Sequence, residues 1–366
     1  MIIGVPKEIK NHEYRVGLTP ASAAELIAHG HIVVVEKDAG RGVGFYDEAY
    51  LCVGAHVKDV DLIWESADMI VKVKEPQACE CARMHEGQIL FTYLHLAPDP
   101  AQAAMLIDKK VVGIAYETVT DSQGRLPLLA PMSEVAGRMA PQVGAAALQK
   151  ANGGRGILLG GVPGVSPAVV TIIGGGTVGT NAARIALGMG AEVTILDSSV
   201  NRLRELDNLF GGRVKTQMAL RDNIQNCVYT SDMVIGAVLV AGASAPKLVT
   251  KHDLHYMLPG SVIVDVAIDQ GGCFETSHAT THADPTYIVE DVVHYCVANM
   301  PGAVARTSTL ALNSATLPYA LLLADKGWEE ACDVNLGLRD GLNVCKGVFT
   351  HPGVAASLKV ACVNPW

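Results

Sequence analysis

The stretch Ala168–Asp197, AVVTIIGGGTVGTNAARIALGMGAEVTILD, decides the fold of this chain. Ala168 to Ile173 is a short, β-branched apolar run of strand type, and Ala182 to Met189 are helix formers that stop at Gly190, a residue suited to a helix C-terminus. A second apolar run, Val193 to Leu196, then delivers Asp197. Between the first strand and the helix, Gly174, Gly176 and Gly179 keep G-x-G-x-x-G spacing. The first glycine allows the tight turn, the second lets the backbone approach a pyrophosphate, and the third lets helix and strand pack closely. The helix aims its N-terminal N–H groups at the phosphates. Asp197 lies 18 residues after Gly179, where a carboxylate accepts from the adenosine ribose hydroxyls and repels the 2′-phosphate of NADP. The motif therefore points to NAD.

A chain of 366 residues has room for two domains, each with its own core. With 49% hydrophobic and 18% charged residues it has the composition of a globular protein, and a net charge of −9 leaves no basic face for nucleic acid or anionic membrane. The uncharged stretch from Gly156 to Ala183 holds eight glycines, two prolines and the nucleotide turn, and so is not a membrane span. MIIGVPKEIK reaches Lys7 and Glu8 too soon for a secretory apolar core, so a cytoplasmic location is expected. Nine cysteines without a C-x-x-C fit a reducing compartment. Cys79, Cys81 and His85 lack a second ligand cluster at finger-like spacing, so no metal is expected.

Working outward from the glycine stretch, the N-terminal part alternates strand and helix patterns. Ile2 to Val5, Ile32 to Val35, Met69 to Val73, Ile89 to Leu94 and Val111 to Tyr116 are apolar runs separated by segments of crossover length. This is a second α/β unit without a glycine triad of its own. Ligands of open parallel sheets collect at the carboxyl ends of the strands, and the residues just past these ends are Lys74, His95 and Glu117, with Arg15 in the loop after the first strand. Two cations and an imidazole at one edge suit a small substrate bearing a carboxylate. Each residue also has a plainer reading. Arg15 can be a solvated loop residue, Lys74 a partner of Glu75, and His95, between Leu94 and Leu96, a satisfied core histidine.

PLLAP (Pro127 to Pro131) is a composition break and marks a first boundary. Ser133 and Glu134 precede an Ala- and Gln-containing helical run to Lys150. After Asp197, strands are expected at Val214 to Met218, Met233 to Leu239, Ser261 to Ala267 and His294 to Ala298. With the two already described they make six, the number for a complete dinucleotide fold. Val238 and Leu239, Ala267, and Asn299 with Met300 mark their carboxyl ends. Asp269 stands in AIDQGG, where a turn carries a carboxylate out of the strand, either toward a ligand or as an ordinary Asx turn. From Arg306 to Ala324 a second long, Ala-rich helix is expected, bent before Pro318. The tail carries no motif that can be assigned. The expected fold is α/β, with two doubly wound parallel-sheet domains joined by long helices, residues 1–130 plus 306–366 for the substrate and 131–305 for the dinucleotide.

Laid out in this way, the chain resembles the alanine dehydrogenases along nearly its whole length. The phrases that carry the resemblance are IGVPKEIKNHEYRVGLTP, VKVKEP, GQILFTYLHLAP, PLLAPMSEVAGR, GGRGILLGGVPGV, the glycine stretch, VDVAIDQGGCFE and YCVANMPGAV. The resemblance implies reversible, NAD-dependent oxidative deamination of L-alanine to pyruvate and ammonium, with hydride transfer in a cleft between the domains. Carried over by position, it implies that Arg15 and Lys74 hold the substrate carboxylate, that His95 is the acid/base group, and that Asp269 assists the addition and loss of water or ammonia. Ser133, Thr177, Val178, Asp197, Arg202, Leu239, Ile268 and Asn299 then line the NAD site, and the assembly is a homohexamer. Ala219, Ala241, Ser244 and Ser166 depart from the family pattern, which bears on cofactor affinity and loop stiffness. Two rivals remain: an NAD(H)-binding component of proton-translocating transhydrogenase, which shares this fold, and an opine- or saccharopine-type dehydrogenase.

Overall fold

The computed structural model describes residues 1–238 and 245–366. They form two units, one of Met1–Met132 with Val304–Trp366 and one of Ser133–Ala303. The chain first lays down β1 (Ile2–Val5), β2 (Ile32–Glu36), β3 (His56–Lys58), β4 (Met69–Val71), β5 (Ile89–Thr92) and β6 (Val112–Ala115). The second unit contributes β7 (Val169–Ile173), β8 (Glu192–Asp197), β9 (Lys215–Met218), β10 (Met233–Gly236), β11 (Val262–Asp265), β12 (Thr286–Val289) and β13 (Val292–Tyr295). The chain then returns to the first unit for β14 (Leu342–Cys345) and β15 (Val348–Phe349).

Strand order in the first unit is β3-β2-β1-β4-β5-β6-β14-β15, with β14 and β15 antiparallel. In the second it is β9-β8-β7-β10-β11-β13-β12, parallel except where β12 meets β13. In each sheet three strands wind one way from a central strand, and the chain then crosses over to wind the other way. The switch points lie between β1 and β4 and between β7 and β10, and these are where ligands of such sheets gather. β4, β5, β6, β10, β11 and β13 are buried along their whole length. Helices cover both faces of a parallel sheet, so its central strands read as unbroken apolar runs. Each fully buried Val or Ile contributes roughly 1.5–3 kcal/mol.

Several elements differ from the sequence expectation. The second sheet has seven strands among the described residues rather than six. The addition, β12, forms a hairpin with β13 through Glu290 and Asp291, both at positive φ (49° and 59°). Two left-handed residues make the tight turn that matches strand twist, but without Asn or Gly the pair carried no turn signal. The strand expected at His294 to Ala298 is instead Val292–Tyr295, and the one expected to reach Leu239 ends at Gly236. Leu239, Ala241 and Ser244 lie outside the described residues. In the tail, Lys346 and Gly347, at φ 48° and 80°, turn β14 into β15.

The helix after PLLAP spans Ala130–Ala147, so it starts inside that phrase. Pro131 falls in its first turn, where proline's missing N–H has no partner to lose. The boundary between the units therefore lies within a continuous helix, between Met132 and Ser133. The second long helix, Ala305–Val334, continues through Pro318, and its break is at Gly327 (φ 72°, ψ 164°). Among the described residues no helix is long and apolar enough to cross a membrane, and no group of three or more His, Cys, Asp or Glu is arranged to hold a metal ion.

Candidate active site

In the first unit, the loops that leave the carboxyl ends of β1, β4, β5 and β6 bring Arg15, Lys74, His95 and Glu117 to one edge of the sheet. Arg15 is 2% exposed, which removes the reading of a solvated loop residue. Its Nε and Nη2 each donate to a carboxylate oxygen of the equally buried Glu13 at 2.6 Å, and Nη1 points at Met132 Sδ. Burial works against the guanidinium charge, but the Glu13 carboxylate more than offsets it and the pKa of Arg15 is raised. The long helix steadies this loop. Val16 N–H donates to Thr309 Oγ1, and Thr19 N–H donates to Asn313 Oδ1 while Asn313 Nδ2 donates to Gly17 O.

Lys74 is half-buried. Its expected alternative partner, Glu75, is taken by Lys10, and among the described residues Lys74 makes no ion pair. Its peptide, in contrast, is fully engaged: N–H donates to Glu8 Oε1 at 3.2 Å, and the carbonyl accepts from Lys72 Nζ and from Thr92 Oγ1, each at 3.0 Å.

His95 is not a core histidine, since its side chain is 44% exposed. It stacks on Tyr93 (centroids 5.8 Å apart, planes 8° apart), and Tyr93 meets Tyr116 edge-on at 5.1 Å. Tyr93 Oη in turn donates to Leu128 O at 2.6 Å. The backbone of His95 is left-handed (φ 48°), which costs a non-glycine residue about 1–2 kcal/mol. Glu117 offsets this by accepting from Leu94 N–H and, at 2.6 Å, from His95 N–H. The same carboxylate lies 3.9 Å from His95 Nδ1 and so faces the ring it helps to aim.

In the second unit Gly174 adopts φ 104°, and a Cβ there would fall 2.6 Å from Ala237 O across the switch point. A Cβ on Gly179 would fall 1.8 Å from Gly174 O. Both glycines are required by the protein's own packing. Gly176 is different: its φ is −66° and an added Cβ would meet nothing within 4 Å. The space left in front of that backbone suits the close approach of a pyrophosphate, the role the sequence motif assigns it. Gly176 also caps the helix Thr177–Gly188 without a side-chain hydrogen bond, so no side chain of the cap competes for its first N–H groups.

Asp197 closes β8. Its Oδ2 accepts from Gly175 N–H and Oδ1 from Ser199 N–H, both at 2.8 Å, which fixes the carboxylate beside the glycine turn with lone pairs to spare. Arg202 donates to Gly175 O and Thr180 Oγ1 at 2.8 Å, tying the next helix to the same turn. Thr177 is exposed beside Gly176, and Val178 is buried behind it. Ala219 N–H donates to Asp197 O, so its methyl group sits at the end of β8.

Past β11 the chain forms a short 3-10 helix, Val266–Gln270, that carries Ala267, Ile268 and an exposed Asp269. The Asx-type cap that is the plainer reading of Asp269 belongs to Asp265. That buried carboxylate accepts from Ala267 N–H, Cys273 N–H and Ser277 Oγ, and so pins both ends of the loop. Burial pushes its carboxyl pKa up. Asp269 is left outside this network. Asn299 is left-handed (φ 64°), and its carbonyl accepts from His282 Nε2 and Gly302 N–H. Met300 is buried beneath it, Val238 ends the described part of its loop, and Ser133 lies on the helix Ala130–Ala147.

Sequence reasoning missed Glu8, Glu13, Lys72, Tyr93 and Asp265. One signal was available, because a lysine inside the apolar run MIVKV and an aspartate inside VIVDV are polar residues at positions the strand pattern buries.

Two family models match the chain, "Alanine dehydrogenase/PNT, N-terminal domain" over residues 4–136 and "Alanine dehydrogenase/PNT, C-terminal domain" over residues 140–352. An alanine dehydrogenase of Halomonas elongata is 60% identical, with 100% of this chain and 98% of that protein covered. Alanine dehydrogenase 2 of Staphylococcus aureus is 59% identical over 98% and 97%. Among solved structures, an L-alanine dehydrogenase superposes with TM-score 0.95 at 50% identity, over 98% of this chain and 99% of that one. A transhydrogenase from Sinorhizobium meliloti, at 24% identity, shares the fold with TM-score 0.82 over 96% and 99%.

Proposed function

The chain belongs to the alanine dehydrogenase/PNT family, and from that premise we infer that it is an oxidoreductase for the reversible oxidative deamination of L-alanine. L-alanine, NAD⁺ and water give pyruvate, ammonium, NADH and a proton. The observation that carries this reading is likeness at 60% identity to an alanine dehydrogenase over the whole chain. The nicotinamide supplies hydride acceptance and return; the rest falls to side chains of this chain.

In our reading Lys74 supplies a point charge for the substrate carboxylate, and Arg15, kept charged and oriented by Glu13, is the second group that holds it. His95 takes and returns the proton of the substrate oxygen or nitrogen, its ring aimed by Tyr93 and Glu117. Asp269, exposed and with no side-chain hydrogen bond among the described residues, assists water and ammonia in adding and leaving. The dinucleotide belongs to the second unit, with its pyrophosphate at Gly174, Gly176, Thr177 and Val178 and its adenosine ribose at Asp197 and Arg202. Ser133, Val238, Ala267, Ile268, Asn299 and Met300 belong to the nicotinamide end. A cytoplasmic homohexamer is the form we expect.

NADH oxidation by the purified chain tests the activity, with pyruvate plus ammonium set against pyruvate plus lysine and against pyruvate alone. Turnover only with ammonium supports the reading. Turnover with lysine indicates an opine- or saccharopine-type enzyme, and NADH binding without turnover a transhydrogenase component.

Cofactor choice follows from Asp197. Both of its oxygens are held beside the glycine turn, so a 2′-phosphate there meets a fixed like charge. NAD⁺ should exceed NADP⁺ by a hundredfold or more in kcat/KM, about 3 kcal/mol on the scale of 1.4 kcal/mol per decade. Asp197→Ser should erase most of that ratio, chiefly by weakening NAD⁺. Equal efficiency of the two cofactors in the wild-type enzyme would remove the assignment.

A further inference from the structure

Glu8, Lys72 and Glu80 form a triad of charges in the interior of the first unit, with side-chain exposures of 1%, 0% and 4%. Lys72 Nζ lies 3.1 Å from Glu8 Oε2 and 3.3 Å from Glu80 Oε1. Burial alone would strip the proton from Lys72, but the two carboxylates hold it on and its pKa is raised. As a source of stability such a triad is a poor choice. Desolvation of buried charges consumes most of their attraction, and well-packed apolar residues of similar size often hold a core as well or better.

The remaining bonds of the triad show what it does that an apolar cluster cannot. Glu8 Oε1 accepts from Val73 N–H at 2.6 Å and Lys74 N–H at 3.2 Å. Lys72 spends its third proton on the Lys74 carbonyl at 3.0 Å, and Glu80 Oε2 accepts from Gln77 N–H at 2.7 Å. Thr92 Oγ1, at the end of β5, donates to that same Lys74 carbonyl at 3.0 Å. The peptide of Lys74 is thus gripped at both its N–H and its C=O, while its ammonium has no ion-pair partner among the described residues.

We propose that Glu8 and Lys72, backed by Glu80 and Thr92, are positioning residues that set the Lys74 peptide so that its ammonium meets the substrate carboxylate. The proposal rests on the functional reading above. Hydrogen bonds with one ionised partner are roughly twice as strong as neutral ones, so the buried charges hold these main-chain N–H and C=O groups more firmly than neutral side chains would. A displacement of about an ångström at a binding group is enough to degrade catalysis.

The test uses the whole chain in the pyruvate-reducing direction, comparing wild type, Glu8→Gln, Thr92→Val and Lys74→Ala, with Glu8→Gln and Thr92→Val each also combined with Lys74→Ala. Glu8→Gln should raise the pyruvate KM tenfold or more with a smaller change in kcat, and Thr92→Val should raise it roughly threefold. Thr92→Val keeps size and burial and removes only the hydroxyl, so it reports even if Glu8→Gln folds poorly. NADH binding, followed by fluorescence, should be unchanged in both. The deciding result is the combination: if the triad acts through Lys74, adding either substitution to Lys74→Ala should cost less than a further twofold. Losses that multiply in full, or a pyruvate KM unmoved in both single variants, overturn the proposal and leave the function intact. A wild-type enzyme inert toward pyruvate and ammonium removes the functional reading, and the proposal with it.

Discussion

Asp269→Asn should lower alanine deamination by roughly a hundredfold or more, the usual scale for a general acid/base group. The substitution keeps the size of the side chain and removes its charge and basicity. The carboxylate is exposed and takes no part in the side-chain bonds that hold its loop, which come from Asp265 and Lys247. Thermal stability and NADH affinity should therefore be nearly those of the wild-type enzyme, and the loss should appear in kcat. His95→Gln should behave alike, although His95 belongs to the other unit and to a different sheet edge. Near-full deamination by Asp269→Asn would reduce the AIDQGG segment to a structural loop and pass its proton transfers to His95 or to water.

Lys74→Ala is expected to lower kcat/KM for pyruvate by about 30- to 150-fold. This is the equivalent of about 2–3 kcal/mol, the upper part of the range for hydrogen bonds to a charged group. The side chain is half-buried and makes no ion pair among the described residues, so its removal leaves no buried carboxylate unpaired and the fold should tolerate it. NADH binding should stay close to that of the wild-type enzyme, because the residue belongs to the first unit and the glycine turn to the second. A folded variant that lost NADH binding together with turnover would make Lys74 a cofactor contact. Substitution of Lys72 should behave differently. Two buried carboxylates lose their cation, so thermal stability should fall as well, and the contrast between two lysines two residues apart separates a ligand-binding charge from a positioning one.

The sequence by itself determined the alternation of strand and helix in both halves, the glycine turn with its following helix, and the acid at the end of β8. These are local. Apolar runs of fixed period and glycines at fixed spacing act over a few residues, so they can be read without knowing what the segment packs against. The residues past the strand ends, Arg15, Lys74, His95 and Asp269, were legible for the same reason, since the topology of open sheets sends ligands to that edge.

Tertiary structure decided what surrounds them. That Arg15 is buried on Glu13, that Glu75 pairs with Lys10 rather than Lys74, and that Asp265 rather than Asp269 caps its loop depend on which oxygen lies nearest in space. Period and spacing do not carry that information. The antiparallel strand β12 escaped notice because Glu290 and Asp291 adopt a left-handed turn that the pairing of β12 with β13 imposes on them. The boundary placed at PLLAP lies within two residues of the division between Met132 and Ser133, but the phrase is no linker: it opens a helix, because a proline that breaks a helix interior fits its first turn. Lys72 shows the division most plainly. In sequence it is a lysine interrupting a strand, and only the fold brings Glu8 and Glu80 against it, which makes its burial possible.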